Sequence, residues 1–203
     1  MPLIIPSNSI SAGGYEVANS LRFDDGSSDY LNRTFGSGNQ QIFTYSTWVK
    51  FSNFPTSDSN TLFGNQGGYP NYFFYQKSTQ QFRAGAQDSG TNIIYELITN
   101  QVFRDLSAWY NIILSVDTTQ STASNRVKLY VNGEQITSFS TETYPSQNAN
   151  ISIGSSGSNF RIGQFSGVWY LNGYLAETVF IDGQQLDPTS FGEFDEDSEY
   201  GNQ

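Results

Sequence analysis

The stretch from Arg126 to Leu186 is the part of the sequence that most constrains the fold of this chain. It begins with Val127-Lys128-Leu129-Tyr130-Val131, where apolar residues alternate along the chain, and Asn132-Gly133 follows. An Asn-Gly pair after such a run is the strongest short-range signal of a β-hairpin. Two more strand patterns follow: Phe160-Arg161-Ile162-Gly163, which ends in glycine, and the run from Leu171 to Ile181. Together these patterns predict an all-β fold.

Further strand patterns run along the rest of the chain. One face of a long predicted strand carries Phe43, Tyr45, Thr47, Val49 and Phe51, while Trp48 stands on the other face. Roughly ten to thirteen short strands with regular turns describe a two-sheet antiparallel jelly-roll sandwich. The other predicted strands are residues 20–23, 61–64, 71–76, 81–86, 92–97, 108–116, 135–139, 159–164 and 173–181.

The chain of 203 residues is long enough for one domain with flanking segments. We expect an extended N-terminal arm over residues 1–14, the jelly roll over 15–192 and an acidic tail over 193–203. Two prolines bracket Leu3-Ile4-Ile5 in the arm, and neither can donate to a strand ladder. The arm is therefore either a loosely held terminus or a segment that adds to a neighbouring subunit as a strand.

Composition excludes several classes of chemistry. The chain contains no histidine and no cysteine. Ser-His-Asp triads, Cys-His pairs, histidine-bound zinc, thiolate metal sites and disulfides are therefore impossible. The net charge is −10, and the nine basic residues are scattered along the sequence. Binding to nucleic acid needs clustered cations, so we expect no nucleic-acid partner.

No segment of the sequence has the pattern of a targeting signal or a membrane span. The N-terminus lacks a basic region, and its apolar run, Leu3-Ile4-Ile5, is three residues long. No run approaches the ~18 apolar residues of a membrane-spanning helix. We expect a soluble product, made in the cytoplasm, that does not enter a membrane.

Carboxylates offer no convincing active site. The acidic run from Glu193 to Glu199 is the nearest match to the alternating acids of sandwich-fold glycosidases, but Ser198 and Asp197 stand where that spacing needs glutamate. A solvated acidic tail explains the run. We therefore predict no catalytic residues.

Aspartates in two loops make calcium the one cofactor that the sequence suggests. Asp24, Asp25 and Asp29 lie close together, and Asp117 begins a polar loop. Hard cations need several oxygen ligands, usually with more than one carboxylate. Turn-forming aspartate explains all four residues without a metal. We therefore predict no metal site and no cofactor.

Two aromatic runs are candidate contact surfaces for a glycan or for another subunit. Tyr69 and Tyr72 belong to the run 69–75, and Trp169 and Tyr170 lie beside Asn172. Alternation places Tyr72 and Phe74 on one face of a strand and Phe73 and Tyr75 on the other, so half of the first run is expected in the core. Tyrosine and tryptophan are favoured both at glycan sites and at subunit interfaces. We expect Tyr69 and Trp169, in or near loops, to be the most exposed.

Several of these motifs occur in the same order in a known family. The sequence from Val127 to Gly133, then Ile162-Gly163, then Gly173-Tyr174-Leu175-Ala176-Glu177, then Leu186 resembles the concanavalin A-like, laminin-G-like domain family. Phe43 to Lys50 and Trp109 to Leu114 are similar to its early and central strands. The resemblance covers about residues 20 to 191 and implies the same jelly-roll fold.

Other segments resemble structural proteins of tailed phages, especially those of aquatic bacteria. They are residues 103–110, the polar loop 117–126, residues 144–148 and residues 191–195. Because those relatives continue into fibre-like sequence and this chain ends at Gln203, the resemblance implies a compact virion subunit.

This resemblance implies a non-enzymatic capsid decoration protein. We expect it to be a homo-oligomer on the particle that contacts other virion proteins through loop aromatics and through Leu3, Ile4 and Ile5 of the arm. The alternative is a carbohydrate-binding adhesin or a tail-associated receptor-binding module.

Overall fold

The computed structural model describes residues 19–52, 59–66, 70–89 and 91–192. Within these ranges the chain forms fifteen β-strands and three single-turn 3-10 helices. No helix in the described part is long and apolar enough to cross a bilayer. The predicted arm with Leu3, Ile4 and Ile5 and the predicted tail 193–203 lie outside the described residues.

Two large antiparallel sheets and one small hairpin make up the fold. In spatial order, the first sheet contains β1 (Leu21–Phe23), β15 (Gly173–Asp182), β3 (Ile42–Phe51), β8 (Tyr110–Asp117), β9 (Val127–Val131) and β10 (Glu134–Ile136). The second contains β11 (Phe139–Thr143), β7 (Ile93–Thr99), β6 (Gln81–Gln87), β5 (Asn71–Gln76), β4 (Ser59–Gln66), β12 (Asn159–Ile162) and β2 (Leu31–Thr34). The hairpin pairs β13 (Gln164–Phe165) with β14 (Trp169–Tyr170). The predicted all-β sandwich is confirmed.

The Asn132-Gly133 hairpin forms as predicted, although its second strand is shorter. Both residues have positive φ, 51° and 81°, as a type I′ turn requires. The return strand β10 ends at Ile136. Phe139 instead begins β11 and pairs with Thr99 in the second sheet. The prediction of one strand over 135–139 was therefore wrong, because the chain changes sheets after Ile136.

Three other strands have no counterpart in the sequence patterns. All four residues of β2 are exposed, so no alternation of apolar residues marks this strand. β13 and β14 are two residues each, which is shorter than a recognisable periodic pattern.

The short helix Pro188–Ser190 near the C-terminus carries a recognisable local signal: Asp187 accepts a hydrogen bond from the Thr189 N–H, as an N-cap residue should.

Aromatic side chains fill the space between the two sheets. Phe82 of β6 lies at the centre, with ring centroids 4.7 Å from Phe103, 5.7 Å from Tyr75 and 6.0 Å from Phe73. On the opposite sheet, Tyr45 is fully buried, whereas the outward-facing Trp48 is 37% exposed. The predicted division of β3 into a core face and an outer face is therefore confirmed.

Gly163 occupies a position where a larger side chain does not fit. Its φ is +83°, and a Cβ built on it would lie 2.7 Å from Cδ1 of Phe23. Phe23 belongs to β1, an edge strand of the first sheet, and Gly163 directly follows β12 of the second, so this close approach joins the two sheets. The Gly163 carbonyl also accepts a hydrogen bond from the Leu171 N–H at 2.9 Å.

We predict that Gly163→Ala destabilises the fold more than Gly157→Ala does. Gly157 is the matched control, because its φ of +79° is similar and nothing lies within 4 Å of its virtual Cβ. The left-handed backbone alone should cost about 1–2 kcal/mol in both variants. Displacement of Phe23 should add about 1–3 kcal/mol for Gly163→Ala. Denaturant unfolding checks this, and equal losses of stability would show that the Phe23 contact is unimportant.

Candidate functional site

The side of the second sheet that faces away from the first sheet carries a group of aromatic and charged residues. Along β5, Phe73 and Tyr75 belong to the core between the sheets. Tyr72 and Phe74 alternate with them and therefore point to the opposite side, as predicted from the sequence. We call this surface the outer aromatic face; its members are Tyr72, Phe74, Arg83, Glu96, Phe165 and Trp169.

Two glycines give the rings of this face room to lie flat on the sheet. Gly64, Tyr72, Gly85 and Glu96 form one row across β4, β5, β6 and β7. A Cβ on Gly64 would lie 2.6 Å from Cδ2 of Phe165. A Cβ on Gly85 would lie 2.6 Å from Cζ of Tyr72. Each glycine is therefore covered by an aromatic ring rather than by its own side chain.

A charged pair anchors the centre of the face. The Tyr72 hydroxyl donates to Oε1 of Glu96 at 2.8 Å, and Nε of Arg83 donates to the same oxygen at 2.8 Å. Nη2 of Arg83 also pairs with this oxygen. The guanidinium carbon lies 5.5 Å from the centroid of Tyr72 and 5.7 Å from that of Phe74, within cation–π range.

These contacts change the acidity of Tyr72. Burial disfavours its phenolate, and the hydrogen bond to Glu96 acts in the same direction, so the pKa of Tyr72 rises to about 12. The hydroxyl therefore stays protonated at neutral pH and remains a donor to Glu96.

The β13–β14 hairpin lies on this group and carries the tryptophan. Phe165 stacks on Trp169 with 5.6 Å between centroids and lies 5.6 Å from Tyr72. Trp169 also packs against Phe74 at 5.4 Å. Since the turn between the two strands contains Ser166 and Gly167 with positive φ, the hairpin is tight. Trp169 is left half-buried, with one part of its indole on the sheet and the remainder in solvent.

A second cation–aromatic group borders the hairpin. The guanidinium carbon of Arg161 lies 5.1 Å from the centroid of the Tyr30 ring, and Nη1 donates to Oε1 of Gln164 at 2.7 Å. Tyr30 in turn lies 6.5 Å from Tyr170. Tyr170 is half-buried, like Trp169.

The structure brings three of the four predicted contact residues to one region. Tyr72, Trp169 and Tyr170 lie on or beside the outer aromatic face, whereas Tyr69 lies outside the described residues. Tyr72 is only 5% exposed, so it supports the face from below instead of offering a ring to a ligand.

Sequence reasoning missed Arg83, Glu96 and Phe165. One signal was available for the charged pair: Glu96 stands between Tyr95 and Leu97, which are fully buried, and a charge in such a run indicates a partner.

The aspartates considered for calcium are engaged in local turns and contacts. Oδ1 of Asp24 accepts from the Gly26 N–H at 2.9 Å, and Oδ2 of Asp29 accepts from the Asp24 N–H at 3.1 Å. Oδ1 of Asp117 accepts from the Thr119 N–H at 2.9 Å. Within the described ranges, no group of three or more acidic side chains is placed to hold a metal ion.

The sequence of the two-sheet domain matches a known protein family. A family model described as the concanavalin A-like lectin/glucanases superfamily, of the laminin G type, matches residues 25–183. The chain belongs to this superfamily. The match extends through both sheets, and it confirms the family resemblance found in the sequence.

Several solved structures have a fold similar to this domain, although their sequence identity to it is low. The mouse laminin α1 fragment LG4-5 has a TM-score of 0.55 and 12% identity over 86% of this chain and 44% of that one. A heptameric SAP-like pentraxin from Limulus polyphemus has a TM-score of 0.51 and 15% identity, and the match covers 74% of this chain and 68% of the pentraxin chain.

A third similar structure is domain 4 of the arabinanase AbnA from Geobacillus stearothermophilus, solved with arabinotriose. It has a TM-score of 0.51 and 19% identity, and the match covers 74% of this chain and 64% of that one. At these identities the likeness shows a common fold. No curated protein sequence matches the chain.

We predict that Tyr72 makes the free energy of unfolding of this superfamily member decrease at alkaline pH. The unfolded chain loses the Tyr72 proton near pH 10.0, but the folded chain keeps it until about pH 12. The contribution of Tyr72 is therefore complete below pH 10.0 and is lost as the pH rises towards 12. The free energy of unfolding, measured with urea at several pH values, should fall less steeply for Tyr72→Phe than for the wild type. Parallel pH profiles would contradict the raised pKa of Tyr72.

Proposed function

We propose that this domain is a non-enzymatic carbohydrate-binding module that binds its glycan on the outer aromatic face. The observation that carries the proposal is the half-buried indole of Trp169, which packs on Phe74, the same ring that lies within cation–π range of Arg83. Sugar rings have an apolar C–H side and a polar rim, so they require an aromatic surface next to hydrogen-bonding groups.

Each polar group on this face has a definite role in the proposal. Guanidinium groups carry five N–H donors in a fixed plane, and Arg83 uses only part of that set on Glu96. Glu96 is only 7% exposed, and its contacts with Tyr72 and Arg83 reach Oε1, so it holds the guanidinium of Arg83 in place from below. Because Arg83 and Glu96 hold each other in place, little side-chain entropy is lost when a ligand binds.

The surroundings of the carboxylate on this face favour glycan binding over glycan hydrolysis. Glycosidases use a pair of carboxyl groups that flank the scissile bond. In the part of the chain that the structure describes, Glu96 is bonded to the guanidinium of Arg83 and the phenol of Tyr72. The superfamily name includes both lectins and glucanases, and domain 4 of the arabinanase AbnA was solved with arabinotriose. These likenesses support a carbohydrate ligand.

We predict that Trp169→Ala removes glycan binding by the outer aromatic face. Loss of the indole should weaken the association by at least about tenfold, since stacking contributes on the order of 1.4 kcal/mol. Val168→Ala is the matched control, because Val168 is the neighbouring residue and is 60% exposed. Binding should be measured on a glycan array and then by calorimetry with the best ligand.

Two results would contradict this function. One is an array on which the wild-type protein binds nothing. The other is a bound glycan whose affinity is unchanged in both Trp169→Ala and Arg83→Ala while both variants remain folded. Release of reducing ends from the bound glycan would show that the domain is an enzyme.

Attachment to a phage particle is the second function that we propose, and it rests on the resemblance to tailed-phage proteins. A shallow groove of about 360 Å³ at one side of the sandwich supports a protein contact there. Leu21 on β1 and Leu31 on β2 line this groove and are 49% and 48% exposed. Both belong to edge strands, which can accept an added strand from a partner.

Deletion of residues 1–10, which removes Leu3, Ile4 and Ile5, should lower the number of copies bound per particle. Particles assembled with and without the deletion can be compared by quantitative gel analysis. Val102→Ala is a surface control, because this side chain is 38% exposed and lies outside the groove lining. Unchanged occupancy after the deletion would contradict attachment through the arm.

A further inference from the structure

The first sheet also exposes aromatic side chains, on the opposite side of the sandwich from the outer aromatic face. Trp48 on β3 is 37% exposed, and Trp109, directly before β8, is 38% exposed. The chain has three tryptophans, so two of them lie here. Thr47 and Val49, on either side of Trp48, are fully buried, and therefore Trp48 points away from the core.

Strand register places Trp109 beside Trp48. Trp48 pairs with Asn111, and Val49 pairs with Tyr110. Tyr110 packs in the core against Phe103 at 5.7 Å, so the alternating position Trp109 faces outward. Trp109 is then the diagonal neighbour of Trp48, about 7–8 Å away between Cα atoms. This spacing lets two indoles form one continuous surface across β3 and β8.

Polar groups surround the two indoles. Lys50 lies two residues along β3 and pairs with Tyr174, which pairs with Arg22 at the edge of the sheet. The guanidinium carbon of Arg22 lies 5.3 Å from the Tyr174 centroid. Asn111, opposite Trp48, is buried at 9% exposure, and its backbone N–H donates to Oδ1 of Asn132 at 2.9 Å. The surface thus offers an ammonium and a phenol beside its apolar rings.

The local charges are balanced. Hydrogen bonds from Ser107 lower the pKa of Asp105, and the nearby charge of Lys50 adds to this effect. Glu177 is exposed next to Ala176, the residue that pairs with Trp48. The chain as a whole has a net charge of −10, which repels polyanions. An uncharged ligand therefore fits this surface better than an acidic one.

We propose that Trp48, Lys50, Trp109 and Tyr174 form a second glycan surface, here called the tryptophan face, for a neutral polysaccharide chain. Two consecutive sugar units stack on the two indoles, and their hydroxyls bond to Lys50 and Tyr174. The cores of protein interfaces are depleted of lysine, whereas here a lysine stands directly beside the rings. With a glycan site on each side, the domain would join two polysaccharide chains.

The test uses the full chain with the outer aromatic face disabled by Trp169→Ala. Native gels containing xyloglucan, glucomannan, hydroxyethylcellulose or dextran measure retardation at several polysaccharide concentrations, and alginate serves as the acidic comparison. We expect the Trp169→Ala protein to be retarded by at least one neutral polysaccharide. Adding Trp48→Ala or Trp109→Ala should weaken that association at least about tenfold. Val179→Ala, 38% exposed on the same sheet, should leave it unchanged.

Further measurements separate loss of binding from loss of folding. Thermal unfolding should remain cooperative in each variant, and Trp48→Phe and Trp109→Phe, which retain an aromatic ring, should recover part of the affinity. Complete loss of retardation in Trp169→Ala alone would leave only the outer aromatic face as a glycan site and would overturn the proposal. Retardation by none of the neutral polysaccharides, or by alginate alone, would overturn it too.

Self-association is the last competing outcome. Sedimentation that shows a dimer in the wild type and a monomer in Trp48→Ala would make this face an interface between copies, against the proposal. A monomer in both proteins supports a free ligand surface.

Discussion

Packing of aromatic rings between the two sheets is the interaction on which the other features of this domain depend. Phe51 stacks on Tyr75 across the sheets with 4.7 Å between centroids, and Tyr45 contacts Phe63 edge-on at 4.8 Å. Such pairs add about 0.5–1.5 kcal/mol each beyond the area that they bury. Because one side of every central strand is used in this way, the alternating side chains are left for the two outer faces.

Glycine at two positions lets aromatic rings lie flat on one outer face of the sandwich. A side chain at Gly64 would displace Phe165, and one at Gly85 would displace Tyr72. The Tyr72 ring supports the hairpin through Phe165, and the hairpin packs Trp169 on Phe74, the ring that Arg83 also contacts. The tryptophan face on the other sheet needs no such support, because β3 and β8 present their outward residues directly. In both cases the function that we propose rests on residues whose direction is set by the core.

Local patterns in the sequence predicted a large part of the fold. Alternation along β3 separated its buried residues from Trp48, and Asn132-Gly133 marked a hairpin with the positive φ values that the structure has. β2 could not be found in this way, since all its residues are exposed.

The candidate site was harder to predict because its residues meet through long-range pairing. Arg83 and Glu96 lie on different strands, and their contact depends on the register in which Gly85 pairs with Glu96. Trp169 was recognised as a contact residue, but its neighbours Phe74 and Phe165 were not, because a ring-on-ring arrangement depends on how the hairpin folds onto the sheet.

The central claim, that glycans bind through tryptophans on the outer faces of the sheets, can be tested with the indole N–H signals in a ¹H–¹⁵N NMR spectrum. The chain has three tryptophans, so the spectrum contains three such signals, which single Trp→Phe variants assign. On titration with an oligosaccharide that the domain binds, we predict that the Trp169 signal shifts in a saturable manner. If all three indole signals stay unmoved while the oligosaccharide binds, the glycan contacts another part of the molecule, and the account given for the outer aromatic face is wrong.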